Sequence, residues 1–259
     1  MARGSAADLP VERAHMEART VETTQGVVTI WADWLRLAPT RPLLLVIRGV
    51  FPPAGQLTAL PTVLAEADVA FVDLPGMNAT PAFAVNSPWS FAEGVDQTVA
   101  ALFPERPLAV LGVSMGGVVA MAMKAPGLRA ILAVDPPLTV AGLWPLRNVL
   151  REVLAAAPSF ADWIWDVLGF SVDAVEERDY RPILAALEVP THVLLASDPL
   201  EPRRLVDRLP SLASESERAL YAAHPFVSIE VVPDSGHDLP GDRPAAVLTP
   251  LVAMLAAVG

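Results

Sequence analysis

Apolar runs of strand length recur along the chain without the polar alternation of a half-exposed strand. They are PLLLVIRGV (42–50), VAFVDLPG (69–76), PLAVLGV (107–113), LRAILAVDPP (128–137) and THVLLASD (191–198). A strand that is apolar on both faces must be covered on both faces, which is the situation of parallel strands sandwiched between helices. The intervening segments fit. GQLTALPTVLAEA (55–67) reads as a short helix interrupted at Pro61, WSFAEGVDQTVAALF (89–103) carries apolar residues at helical spacing, and a third helix runs from Ser114 to about Lys124. Strand and helix thus alternate, and the alternation predicts an α/β fold with a mostly parallel sheet and helices on both faces. RTVETTQGVVTIWADWL, alternating around Gln25-Gly26, predicts a hairpin at one sheet edge. Residues 201–222 read as a charged helix, 227–237 as the last strand and its loop, and 243–258 as a closing helix.

The alternation breaks over 138–180, which reads as two or three short helices without a strand and holds Trp144, Trp163 and Trp165. An insertion over the strand ends is the expected arrangement, with a core of 21–137 and 185–259 and a helical cap of 138–184. Residues 1–20, polar and charged, read as an N-terminal arm.

Composition narrows the function. The 259 residues are 53% hydrophobic, enough for one sizeable core, and only 18% charged. A net charge of −11 argues against nucleic acid and anionic membranes as partners. The absence of cysteine removes disulfides, a thiol nucleophile and thiolate metal sites. The first residues lack the apolar core of a signal peptide, and no apolar run reaches ~18 residues, so no membrane span is expected and the cytoplasm is the expected location.

The chemistry concentrates at Gly112-Val113-Ser114-Met115-Gly116, a G-x-S-x-G stretch between a strand and a helix. In that context it reads as a nucleophile elbow. The turn is tight enough that side chains two before and two after the serine would collide, so glycine is needed at both places. The serine hydroxyl is lifted above the sheet at the positive end of a helix.

A nucleophilic serine needs a base and an orienting acid. Of the four histidines, His15 lies in the arm, His192 opens a strand and His224 sits beside a proline in a loop. His237, in PDSGHDLP after the last strand, is the candidate base, because chemistry gathers at the C-terminal edge of open α/β sheets. Asp198, directly after a strand, is the first candidate acid, giving the order Ser114, Asp198, His237. Asp135, in AVDPP, is the alternative; Asp234 and Asp238 stand too close to His237 in sequence. Two backbone N–H donors for an oxyanion are expected at Met115 and, after the first long strand, at Val50, with Phe51 as the alternative to Val50.

IRGV, GVSMGG, SD…SGH and DLPGMNATP together resemble the α/β-hydrolase superfamily, in its serine esterase and lipase-like form with a small helical cap. The resemblance implies an eight-stranded, mostly parallel sheet and a Ser-Asp-His hydrolase that uses no cofactor. The chain departs from it at Arg48-Gly49, where members usually carry His-Gly. The arginine either braces the oxyanion loop through its fork of donors or attracts an anionic substrate group. Met77-Asn78 also replaces the polar, glycine-rich stretch of the DLPG loop.

Leu143, Trp144, Trp163, Trp165, Leu168 and Phe170 would offer a large apolar surface, with Val50, Phe51 and Met115 beside the serine. Phe51, Leu143, Trp144, Trp163 and Trp165 are the substrate-binding candidates. The expected reaction is hydrolysis of a small or medium hydrophobic carboxylic ester through an acyl-enzyme on Ser114. The alternatives are a thioesterase, a perhydrolase or a C–C hydrolase on the same triad, or a binding protein that no longer turns over. The expected partner is a small hydrophobic ester or thioester, and the chain fits a monomer or a homodimer.

Overall fold

The computed structural model describes residues 16–50, 57, 60, 64, 66–77, 80–146, 151, 154–155, 160–199 and 209–259. Strands β1 (Glu17–Glu22) and β2 (Val27–Ala32) form the expected hairpin, closed by reciprocal backbone bonds between Thr23 and Gly26. The strand therefore begins inside the segment expected to be arm; the hairpin pairing extends back to Glu17. β3 (Leu43–Ile47), β4 (Asp68–Asp73), β5 (Leu108–Val113), β6 (Leu128–Val134), β7 (Thr191–Ala196) and β8 (Val227–Val232) follow.

The sheet order is β1-β2-β4-β3-β5-β6-β7-β8. β2 is antiparallel to both its neighbours, and every pairing from β4 through β3 to β8 is parallel. The apolar runs explain this. Along β3, Leu43, Leu45 and Ile47 belong to one buried cluster, and Leu44 and Val46 belong to the other, on the opposite face. The first cluster takes in Phe91 and Val95 of helix α1 (Pro88–Leu102) and Val118 and Val119 of α2 (Met115–Ala122). The second takes in Val247, Leu251 and Leu255 of the closing helix (Pro244–Val258). α1 starts where Ser87-Pro88 signals it: Ser87 and Ser90 cap each other's backbone reciprocally, and Pro88 occupies the first turn.

Between β6 and β7 lie a 3-10 turn (Ala141–Leu146), helix α3 (Ala161–Leu168) and helix α4 (Arg181–Ala185), with isolated bridges Thr139–Asp179 and Phe170–Val175. Trp163 and Ile164 of α3 join the first core cluster, so this segment is packed onto the sheet domain. The expected helix at 55–67 lies largely outside the described residues, as do 200–208. After them α5 (Glu215–Ala223) precedes β8, and a short α6 (Leu239–Asp242) follows it.

The sheet's centre is built on close approach. A Cβ on Gly112 would lie 2.4 Å from the carbonyl oxygen of Gly116, and one on Gly116 would lie 2.2 Å from that of Ile47. One on Gly49 would lie 2.8 Å from Ser114 Cβ. β3, β5 and the start of α2 can meet only where these residues are glycine. Gly116→Ala is therefore expected to lower unfolding free energy by about 3 kcal/mol or more, read from urea midpoints, because backbone must move to admit the methyl.

Candidate active site

β5 delivers Ser114 and α2 leaves it. Ser114 has φ 56° and ψ −124°, a left-handed φ that a non-glycine residue adopts at a cost. Its N–H donates to Val134 O at 2.8 Å, and its carbonyl accepts from Gly117 N at 2.9 Å and Val118 N at 3.3 Å. The hydroxyl makes no capping hydrogen bond to the helix it precedes. The turn is thus held entirely by backbone, which leaves the side chain for other work.

His237 stands in the loop after β8. Its N–H donates to Leu209 O at 2.8 Å, and the flanking residues are fixed as well. Gly236 N donates to Asp242 Oδ2 at 2.7 Å, and Gly241 N donates to Asp238 Oδ1 at 3.1 Å. The imidazole Nδ1 lies 2.7 Å from Asp135 Oδ2. The carboxylate that orients His237 is therefore Asp135, and the expectation that Asp198 would do so is corrected.

The reason lies in two loops. Asp135 leaves β6 with φ 45°, a turn that brings its carboxylate round to His237. Asp198 N donates to Ser235 O at 3.0 Å, and Asp198 O accepts from Ser211 N at 2.9 Å. Ser197 and Ser235 bond reciprocally, backbone to hydroxyl, at 3.3 and 3.1 Å. The backbone at Asp198 thus clamps the histidine loop to the 209–212 segment. That segment supplies Asp135 with Ser211 Oγ at 2.6 Å and Leu212 N at 2.8 Å, and Ala196 N adds a third donor at 3.2 Å.

Asp135 is fully buried. Burial alone pushes its carboxyl up. The hydrogen bond and charge of His237, followed by the Ser211 and Leu212 donors, outweigh that and hold it below the ordinary value. Ser114, His237, Val50 and Met115 line one cavity of about 30 Å3, together with Pro137, Leu143, Leu168, Phe170, Leu209 and Leu212. A strained serine at a helix N-terminus, sharing a cavity with a carboxylate-bound histidine, is an arrangement suited to nucleophilic catalysis. Among the described residues no group of three or more His, Asp or Glu could hold a metal ion.

A family model described as "Alpha/beta hydrolase family" matches residues 44–249. The chain belongs to the alpha/beta hydrolase family. Among solved structures it is similar to a thermophilic esterase from Thermogutta terrifontis, at 19% identity and a TM-score of 0.63 over 93% of this chain and 99% of that one. It is similar to the carboxylesterase CesB (YbfK) from Bacillus subtilis at 15% identity and a TM-score of 0.67, covering 93% and 92% of the two chains. The thioesterase domain from the curacin biosynthetic pathway matches at 17% identity and a TM-score of 0.60, over 93% and 99%. No curated protein sequence matches the chain.

Arg48, at the position where the family resemblance leads one to expect histidine, is buried. Its Nη2 lies 3.2 Å from Asp73 Oδ1, and Trp31 Nε1 donates to Asp73 Oδ2 at 2.7 Å. Arg48 thus ties the segment before Val50 to the end of β4, which supports its structural reading. Leu143 lines the serine cavity. Trp163 does not: it is buried, donates from Nε1 to Pro75 O at 2.6 Å, and stacks on Phe160 and Phe91. It pins α3 to the loop after β4, where a Cβ on Gly76 would lie 2.4 Å from its ring. Trp165 lies under the Arg178 guanidinium, 5.6 Å from ring centroid to charge, and is likewise absent from the cavity lining. Phe51 and the Trp144 side chain lie outside the described residues.

Several residues that hold the site carry no sequence signal. Ser211 is one. Glu217 is another: it is buried, Oε1 accepts from Leu138 N and Thr139 N at 2.7 Å each, and Oε2 accepts from Ser214 N at 2.6 Å. It fastens α5 to the chain just after Asp135. Only the S-x-x-E spacing of Ser214 and Glu217, a capping box, hints at part of this.

The lowered pKa of Asp135 has a defined sign in stability. Above the unfolded value of 3.8 both states are ionised and its contribution is complete. As pH falls below 3.8 the unfolded chain takes up the proton first, and the contribution is lost until the native carboxyl protonates. Asp135→Asn is expected to flatten the fall of stability below pH 3.8, read as urea midpoints against pH.

Proposed function

We propose that this α/β-hydrolase is a serine esterase acting on small carboxylic esters through an acyl-enzyme. The observation that carries the reading is His237, bonded to Asp135, lining the same cavity as Ser114. Asp135 occupies Nδ1, so His237 acts through Nε2. That nitrogen takes the Ser114 proton as Oγ bonds to the ester carbonyl carbon. The carbonyl π bond opens to an oxyanion held by the Met115 and Val50 N–H groups, the first of them at the N-terminus of α2. The intermediate collapses, the C–O bond to the alcohol breaks, and His237 returns the proton to the leaving oxygen. Water then repeats the sequence: it gives a proton to His237, its oxygen displaces Ser114, and Ser114 Oγ recovers the proton as the carboxylic acid leaves. Side chains and water suffice for each step.

Asp135 holds the imidazole in the tautomer with the proton on Nδ1 and stabilises the imidazolium when it forms. A thioester would pass through the same tetrahedral intermediate, and the similarity to a thioesterase domain makes thioesters the second substrate class to assay.

A fluorophosphonate is expected to add once to the wild type and not to Ser114→Ala, read by intact mass. Ester turnover should fall by roughly 10^6 in Ser114→Ala, as when a triad serine is removed. Asp135→Asn should lose about 10^4 in kcat, the scale of a triad acid whose histidine loses its tautomer. Asp198→Asn should lose no more than a few-fold. A larger loss at Asp198 than at Asp135 contradicts the assignment.

A further inference from the structure

The two edges of the sheet differ. β1 carries Glu17, Arg19 and Glu22, charges of the kind that keep an edge strand from pairing with another chain. β8, at the other end of the strand order, reads VSIEVV with a single charge, and among the described residues it pairs only with β7. Ile229 is 36% exposed, Val231 47%, and Phe226, just before the strand, 44%. An apolar strand edge left open in this way is a template for a further strand.

One bond fixes which groups of β8 face outward. Thr191 N donates to Phe226 O at 2.8 Å. Along a parallel ladder each residue turns its N–H and C=O to the same neighbour, and successive residues alternate. Phe226, Ser228 and Glu230 therefore turn theirs to β7, and Val227, Ile229 and Val231 turn theirs away from the sheet. Val227 N is taken by His224 O at 3.1 Å, which leaves its carbonyl and both groups of Ile229 and Val231 for a new strand.

The strand is complementary to itself. Pro225 and Pro233, which have no N–H to give, bound it at equal distances from Ile229. When a second copy runs antiparallel with Ile229 opposite Ile229, Val231 falls opposite Val227 and Ser228 opposite Glu230. Four backbone hydrogen bonds then close, two between the Ile229 residues and two from Val231 N–H to the Val227 carbonyl of the other copy. On the other face, Ser228 Oγ, which lies 2.7 Å from His192 Nδ1, meets the Glu230 carboxylate of the second copy, a hydroxyl donor against an acceptor. Moving the two-fold axis to Glu230 would set two carboxylates directly opposite at the closer spacing of a non-hydrogen-bonded pair. Moving it to Ser228 would set Pro225 opposite Val231 and lose bonds. Charge and proline placement thus choose the Ile229 register.

We infer that β8 is the interface of a two-fold homodimer in which the sheets of two copies join edge to edge, with Ile229 on the axis. Each copy offers the same patch to the other, as a closed dimer requires. The inference does not depend on the esterase reading.

The test uses the full chain at high salt, which screens the repulsion between two chains of net charge −11 each. Sedimentation equilibrium across the micromolar range is expected to show monomer and dimer in exchange. Ile229→Lys sets two ammonium groups opposite each other and should weaken the dimer by about 100-fold. Val231→Lys, at a more exposed position, should weaken it by about tenfold. Circular dichroism establishes that each variant is folded. The chain has no cysteine, so an introduced one reports only on itself. Ile229→Cys is expected to give a disulfide-linked dimer under mild oxidation, because Cα atoms paired there stand ~5.5 Å apart, within disulfide reach. Val231→Cys, off the axis, should stay unlinked. A wild type that remains monomeric throughout overturns the inference, and so does a dimer that the folded lysine variants leave intact. A dimer that links only through Val231→Cys, or only in a mixture of the two cysteine variants, overturns the axis at Ile229.

Discussion

One buried carboxylate organises the C-terminal edge of the sheet in this protein. Asp135 has no exposure to solvent, and an ionised carboxylate there is tolerated only if donors surround it. They come from the end of β7 at Ala196, from the 211–212 segment and from the loop after β8 through His237. Each of those segments is thereby held to the end of β6. The 209–212 segment receives further fixing from Asp198 and His237 backbone, and Glu217 secures α5 to the residues just past Asp135. The carboxylate's charge draws these loops together and faces the Nδ1 side of His237.

A second constraint is steric. Gly49, Gly112 and Gly116 let β3, β5 and α2 approach closely around Ser114, which takes a left-handed φ. The strain at Ser114 is set against packing on both sheet faces, where the long apolar runs of β3 and β5 feed separate clusters. The Arg48–Asp73 pair adds a tie between the loop before Val50 and β4. Ser114 and Met115 therefore stand at the close approach of β3, β5 and α2, and His237 stands on a loop that Asp135 ties to the end of β6.

What could be read from the residues follows from how local each feature is. The elbow was legible because its glycines, serine and flanking elements are close in sequence, although the crowding at Gly116 comes in part from Ile47 of β3. The parallel sheet was legible because unbroken apolar runs exclude a solvent-facing strand. The partner of His237 was not legible because Asp135 and Asp198 both end strands, and only the course of the loops decides which carboxylate reaches the imidazole. That course depends on Ser197–Ser235 bonds and on Ser211, none of which leaves a pattern in sequence. Trp163 looked like pocket lining for a similar reason: its hydrogen bond to Pro75 is 88 residues away in sequence.

His237 is held by Asp135 through Nδ1, and not by Asp198. Proton NMR of the imidazole in acid solution tests it without any substrate, since a histidine Nδ1–H bonded to a buried carboxylate resonates far downfield of the amides and exchanges slowly with water. One such resonance is expected in the wild type, retained in Asp198→Asn and absent in Asp135→Asn. A resonance that survives in Asp135→Asn and disappears in Asp198→Asn would contradict it.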